Sequence, residues 1–124
     1  MKFFSKFESQ AYLLLRVVFG FLFACHGAQK MFGILGGHKV HPGFTLEFLG
    51  TLIELIAGAL IFLGFFTRPA AFIASGEMAV AYFMVHSKSS FFPIVNHGEL
   101  AVIYCFVALF IAAHGAGRFG FDRS

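Results

Sequence analysis

Charge is scarce in this chain. Only 12% of its 124 residues are Asp, Glu, Lys or Arg, whereas 59% are hydrophobic. A soluble domain of this length cannot bury so much apolar surface, so the shortage of charge excludes an ordinary water-soluble globule and makes lipid the cover for the excess. Cysteine is equally thin. The 2 Cys form neither a CxxC nor a Cys/His ladder at zinc spacing, which excludes a disulfide framework and a structural metal motif and leaves the redox compartment unread. There is no flavin, haem or iron–sulfur motif, and no helix supplies the paired i, i+4 histidines that would make a metal or haem site of His26, His86 or His97. The net charge of +3 and pI near 9.1 do not indicate nucleic acid. The basic residues are scattered and fall at the ends of apolar runs, which is the pattern of topology signals.

What is present reads as membrane helix. The mean hydropathy is +0.84, and the 20 Phe suit lipid-facing and interfacial positions. A spanning helix needs roughly twenty mostly apolar residues, and four segments qualify, near residues 10–32, 44–66, 69–86 and 98–114. The breaks carry turn chemistry: Gly33, Gly36, Gly37, Pro42 and Gly43, then Thr67-Arg68-Pro69, then Pro93 and Asn96. Pro69 suits the first position of a helix. The expected fold is all-α, an integral membrane four-helix bundle forming a single domain over residues 1–124. The opening ten residues alternate Lys2 and Lys6 with Phe3, Phe4 and Phe7, as in a stretch lying among headgroups. Leu22-Phe23-Ala24-Cys25 resembles a lipoprotein cleavage box, but Arg16 would then interrupt the apolar region of a signal peptide, so the segment is expected to remain as the first helix. With the N-terminus inside, Lys2, Lys6, Arg68, Arg118 and Arg123 are cytoplasmic and Lys30, Lys39 and Lys88 are outside, which predicts both termini in the cytoplasm.

Ionisable residues in lipid cost about 2.5 to 3.5 kcal/mol each at a helix centre, so they should face the bundle interior. Arg16, His26 and Lys30 fall with Phe23 in one arc of the first helix, and Glu47 and Glu54 share a face of the second. Glu77 stands inside the third. His86 lies nine residues further on, nominally on the opposite side, and joins a Glu77 site only if the helix end unwinds. Asn96, His97 and Glu99 open the fourth helix. Arg16 is expected to meet Glu54 or Glu77. One arginine against two carboxylates leaves an excess negative charge, which calls for a protonated Glu or another cation. The bland alternatives stay open: a buried ion pair that only fixes the bundle, Glu99 as a helix-start anion, His26 and His86 reaching for headgroups, and Tyr82 and Tyr104 as packing residues. Cys25 and Cys105 lie at similar depth and read more simply as small apolar fillers than as a dithiol.

The pattern Arg16-x3-Gly20-x5-His26-Gly27-x2-Lys30, then Glu54-x3-Gly58-x5-Gly64 with Thr67-Arg68, then Ala81-x4-His86, resembles the DoxX family of small bacterial membrane proteins. The run from Gly76-Glu77-Met78 to His86, then Phe91-Phe92-Pro93 and Gly98-Glu99-Leu100, is similar to one branch of it. The closing Gly115-x-Gly117-Arg118-x3-Asp122 also resembles the family's ending, with Ala116 in place of an expected proline and Gly120 in place of an expected serine. Cys25 and His114 match no motif position. The resemblance implies a four-helix protein of the bacterial inner membrane. It also implies a link to quinone-coupled oxidation of sulfur compounds or to complexes that manage oxidative and thiol stress.

Together these readings predict a quinone-linked redox component. Glu54, Glu77, Glu99 and His86 would exchange protons, while Arg16, His26, Lys30 and Tyr82 would hold the ligand. No metal is expected. With no electron-carrying cofactor motif, electrons must come from a soluble redox partner. Membrane lipid is the other expected partner, self-association into a homo-oligomer is open, and no nucleic acid is expected. A proton or small-molecule carrier and a non-catalytic membrane scaffold are the competing classes; small size and the lack of an inverted repeat weigh against the carrier.

Overall fold

All regular structure is helical among residues 2–39, 43, 45–86, 92–96 and 98–122, which the computed structural model describes. The expectations for Pro42, Lys88, His97 and Arg123, and for the side chains of His86 and Asn96, lie outside the described residues. The elements are α1 (Lys2–Ser5), α2 (Glu8–Phe32), α3 (Leu46–Leu63), α4 (Thr67–Ala81), α5 (Pro93–Asn96) and α6 (Glu99–His114). A π-helical turn, Tyr82–His86, carries on directly from α4; its wider winding rotates the backbone away from the ideal helical phase.

Local chemistry sets the ends. Gly33 and Gly64 take left-handed conformations after α2 and α3, with φ of 67° and 74°, and return their N–H groups to the preceding turn. At the start of α3 the Thr45 hydroxyl accepts the N–H of Phe48 at 3.1 Å. Several boundaries shift by two or three residues from the sequence expectation, and two of the shifts have a local cause. The second helix stops at Leu63 rather than Phe66, because Gly64 turns the chain, and the third begins at Thr67, ahead of Pro69. Pro69 therefore sits inside the first turn, where a missing N–H costs nothing.

The long helices pack chiefly as two antiparallel pairs, α2 with α3 and α4 with α6. Between α2 and α3 the backbones nearly touch: a methyl group on Gly58 would lie 2.4 Å from the Ala24 nitrogen, and one on Gly27 would lie 2.4 Å from the Leu55 nitrogen. Such close approach is how helices associate where apolar surroundings remove the hydrophobic drive. The α4–α6 contact is built from Ala70, Ala71, Ala74, Ala108 and Ile111, all buried, with the Ser75 hydroxyl donating to the Cys105 carbonyl at 2.8 Å. Contacts of α3 with α4, and an aromatic seam from Phe19 and Phe23 on α2 to Tyr104 on α6, join the pairs.

The distribution of polarity is inverted relative to a soluble protein. Phe72 and Phe106 are 67% and 64% exposed, while Arg16 and Glu54 are each 2% exposed. Of the described helices, α2 and α3 are long and apolar enough to cross a membrane. At about 1.5 Å per residue, the 18 residues of α3 reach roughly 27 Å, close to the ~30 Å of a bilayer's hydrocarbon.

Candidate functional site

The register of α2 against α3 decides which charges meet. Gly20 lies beside Phe62, Ala24 beside Gly58 and Gly27 beside Leu55, so the next turn of α2 brings Lys30 level with Glu54. The Lys30 Nζ donates to Glu54 Oε2 at 2.9 Å, with the lysine side chain 38% exposed and the glutamate 2%. Glu77 on α4 faces the same place, close enough for its carboxyl to interact directly with that of Glu54. Glu54 Oε1 and Glu77 Oε1 are both buried without a hydrogen-bond partner. Two carboxyls and one ammonium leave a single excess negative charge. One proton shared between the carboxyls would neutralise the cluster and satisfy both orphaned oxygens.

These groups open onto a chamber of about 330 Å³ bounded by α2, α3, α4 and α6. Its lining includes the polar side chains of His26, Lys30, Glu54, Glu77 and Tyr104 and the apolar ones of Phe23 and Met78. The His26 ring meets Tyr104 edge-on at 5.8 Å, which fixes one edge of the chamber. Five charged or titratable groups around an otherwise apolar cavity of this size are the kind of lining that small-molecule sites have.

Other candidates lie elsewhere. Arg16 does not meet Glu54 or Glu77: it stands beside Gly64, ten residues from Glu54 and therefore about 15 Å of helix rise away, and its Nη1 donates to the Ala116 carbonyl at 2.8 Å. The expected meeting fails because the α2–α3 register sets Arg16 apart from Glu54 and from the Glu77 that faces it. Glu99 is exposed in the first turn of α6, and Tyr82 is buried in the π turn with its ring 5.4 Å from that of Phe83; neither lines the chamber. Cys25 and Cys105 are free thiols, half-buried.

The DoxX family profile matches residues 11–87, more than half of the chain. The chain belongs to the DoxX family. The match spans α2, α3 and α4, the helices that carry Lys30, Glu54 and Glu77; α6 and the tail lie beyond it. An uncharacterised protein of Haemophilus influenzae is 36% identical to this DoxX protein over 96% of the present chain and 93% of its own length. A protein of Bacillus subtilis named "Putative oxidoreductase CatD" is 27% identical over 89% and 83% respectively. No solved structure matches.

A second polar assembly, at the end of the molecule where the termini lie, was not foreseen in the sequence. Asp122 Oδ1 and Oδ2 accept the N–H groups of Phe66 and Thr67 at 2.8 and 2.7 Å, and the Asp122 N–H returns to the Gly64 carbonyl at 2.9 Å. The residues after α6 thus fold back and cap α4. Tyr12 donates to the Gly115 carbonyl at 2.6 Å and Arg16 to that of Ala116 at 2.8 Å, so the tail is held at both ends, while Arg68 donates to the carbonyls of Ala112 and Ala113 in the last turn of α6. Burial pushes the Asp122 carboxyl up, but the Thr67 and Phe66 N–H groups and the Arg16 charge outweigh it and hold the carboxyl below its ordinary value. The available signal was that Asp122 is the only Asp in the chain, the shorter acid being the better helix cap.

Proposed function

We propose that this DoxX protein is a multi-pass protein of the bacterial inner membrane with both termini in the cytoplasm. Its chamber takes the ring of a quinone and exchanges protons with it, while a soluble redox partner exchanges the electrons. The observation that carries this reading is the pair of buried, unpartnered oxygens, Glu54 Oε1 and Glu77 Oε1, beside Lys30 in a largely apolar chamber. At about 330 Å³ the chamber suits a single substituted ring and falls at the lower end of small-molecule sites.

Each residue has a task in that chemistry. Only one of the three Lys30 N–H donors goes to Glu54, so another can serve a ring carbonyl. His26 can donate at a second edge. The Glu54–Glu77 pair stores one proton and releases it towards an oxygen that gains negative charge. Reduction of a quinone to a quinol takes two electrons and two protons. The electrons come from the partner, drawn from a thiol or reduced sulfur donor, and the protons pass through the carboxyl pair. The oxidoreductase name of the Bacillus subtilis relative agrees with a redox role. For the topology, Phe72 and Phe106 lie outward and Arg16 and Glu54 inward, as lipid requires.

The test is extraction and mass spectrometry of lipids bound to the purified protein, with optical spectra, on the wild type and on Glu54→Gln and Glu77→Gln. Quinone should accompany the wild type and be lost from both variants while they still assemble in membranes. His86→Ala extends the comparison to a further proposed proton-exchanging residue, whereas Glu99→Gln, at an exposed carboxyl outside the chamber, should keep its quinone. A wild type carrying no quinone, or Glu54→Gln and Glu77→Gln variants that keep both quinone and the partner's quinone reduction, would overturn the reading. A wild type that carries protons without quinone would make the same cluster a carrier site.

A further inference from the structure

A groove of about 760 Å³ lies between α3 and α4, more than twice the volume of the chamber and sharing Lys30, Glu77 and Ala81 with it. Leu49, Ile53, Val80 and Met84 form its walls, with the exposed Glu47 at its α3 end. Leu49, Val80 and Met84 are 52%, 53% and 45% exposed, so among the described residues the groove opens on the outer surface of the helix pair and not onto another helix. Two glycines keep it clear. Gly76 has no atom within 4 Å of where a side chain would start, and a methyl group on Gly50 would sit 3.2 Å from Glu77 Oε2. The Glu77 carboxyl therefore forms the sill between the two spaces: its Oε1 is buried, and its Oε2 faces the bare backbone of Gly50.

We infer that this groove holds the apolar tail of the ligand whose polar ring occupies the chamber, so that the ligand is a tailed, membrane-dissolved quinone that comes and goes sideways from the bilayer. This rests on the quinone reading of the chamber. The commitment to one amphiphilic occupant follows from continuity and polarity. A molecule whose head lies at Lys30 and Glu77 can extend past the Glu77 sill into the groove, whose walls are aliphatic apart from Glu47 at its α3 end. In lipid such a tail gains little from apolar burial itself, so the groove acts by giving the tail a place to lie while the head is held.

Gly76→Phe tests this, because Gly76 lines the groove and not the chamber, and its new side chain enters empty space. Binding of two probes to the full-length protein in nanodiscs is compared: a quinone with a ten-carbon tail, and the same ring without a tail. The variant should bind the tailless ring as the wild type does, which also reports correct folding, and the tailed quinone at least about tenfold more weakly, as overpacking predicts. Val80→Trp, on the same wall, should repeat the pattern. If the variants bind the tailed quinone normally, or lose both probes equally, the groove assignment is overturned while the ring site stands on wild-type binding. If the wild type binds neither probe, the ring reading falls and takes the groove with it. Loss of a copurifying phospholipid from Gly76→Phe, with tailed-quinone affinity unchanged, would make the occupant a lipid chain and overturn the inference.

Discussion

Replacing Lys30 by Met keeps the stem that packs in α2 and removes only the charge, which isolates what the ammonium does for Glu54. In the native cluster one ammonium and one shared proton balance two carboxyls. Without Lys30, neutrality requires a second proton. Breaking a buried ion pair typically costs about 3 to 5 kcal/mol, and the lower end applies here because Lys30 is 38% exposed and already partly solvated. Proton uptake sets a ceiling on the loss. Measured from an ordinary Glu, protonation costs about 3.7 kcal/mol at pH 7 and about 1 kcal/mol at pH 5. The variant should therefore be destabilised by roughly 3 kcal/mol at pH 7 and by about a third of that at pH 5. Thermal unfolding of purified protein in one detergent, scanned across that range, measures both. Adding Glu54→Gln to the Lys30→Met background should restore most of the loss at pH 7, since it deletes the stranded charge. Equal destabilisation at both pH values, or no recovery in the double variant, would refute the reasoning.

Three further outcomes follow from packing and topology. Gly58→Ala should cost at least about 1 to 3 kcal/mol in the same thermal assay, because its methyl group would lie 2.4 Å from the Ala24 nitrogen, whereas Gly76→Ala, in open space, should be tolerated; equal stabilities would show that α2 and α3 do not pack this closely. A Cys25→Ala, Cys105→Ala double variant should assemble and work normally, since the Ser75 hydroxyl is held by the Cys105 carbonyl, which alanine keeps; a severe loss would reveal thiol chemistry. Reporter fusions at Ser124 and at Gly36 should sit on opposite sides of the membrane, as four spans require, and agreement between them would show the span count to be wrong.

Helix positions were legible because they depend on composition and punctuation alone: apolar runs of spanning length, broken by Gly33, Gly64 and the Thr67-Arg68-Pro69 turn. The inward placement of Arg16, Glu54 and Glu77 was legible for the same reason, since lipid penalises each charge wherever it occurs. Which charge meets which was not legible. The choice between Arg16 and Lys30 as partner of Glu54 depends on the α2–α3 register, and that register is set by backbone approach at Gly20, Gly27 and Gly58. Glycine carries no side chain from which such a register could be read. The capping of α4 by Asp122 was hidden differently, by a separation of 55 residues between the carboxylate and the Thr67 N–H. Local rules see a helix start at Pro69, and only the returning tail moves it back to Thr67.

That returning tail yields the last prediction. Asp122 supplies both acceptors for the first N–H groups of α4, and Thr67 is fully buried, so Asp122→Ala leaves a buried donor unmatched. Loss of a helix cap costs about 0.5 to 2 kcal/mol, and the upper half of that range is expected because two N–H groups are abandoned and no water reaches Thr67. Asp122→Asn can keep one of the two bonds and should lose about half as much. The pH dependence has a definite sign. The folded carboxyl titrates below its ordinary value, so its contribution is complete above the unfolded value near 3.9 and fades as pH falls through the lower folded value. The stability gap between wild type and Asp122→Ala should thus be constant from pH 7 to about 5 and close below about 4. Limited digestion by carboxypeptidase gives an independent readout, because an undocked tail frees residues 115–122 for cleavage: the alanine variant should be trimmed faster at pH 7, and wild type should approach its rate only in acid. A gap that persists unchanged at pH 3.5, or a tail trimmed equally in both proteins at pH 7, would mean that Asp122 does not hold the tail against α4.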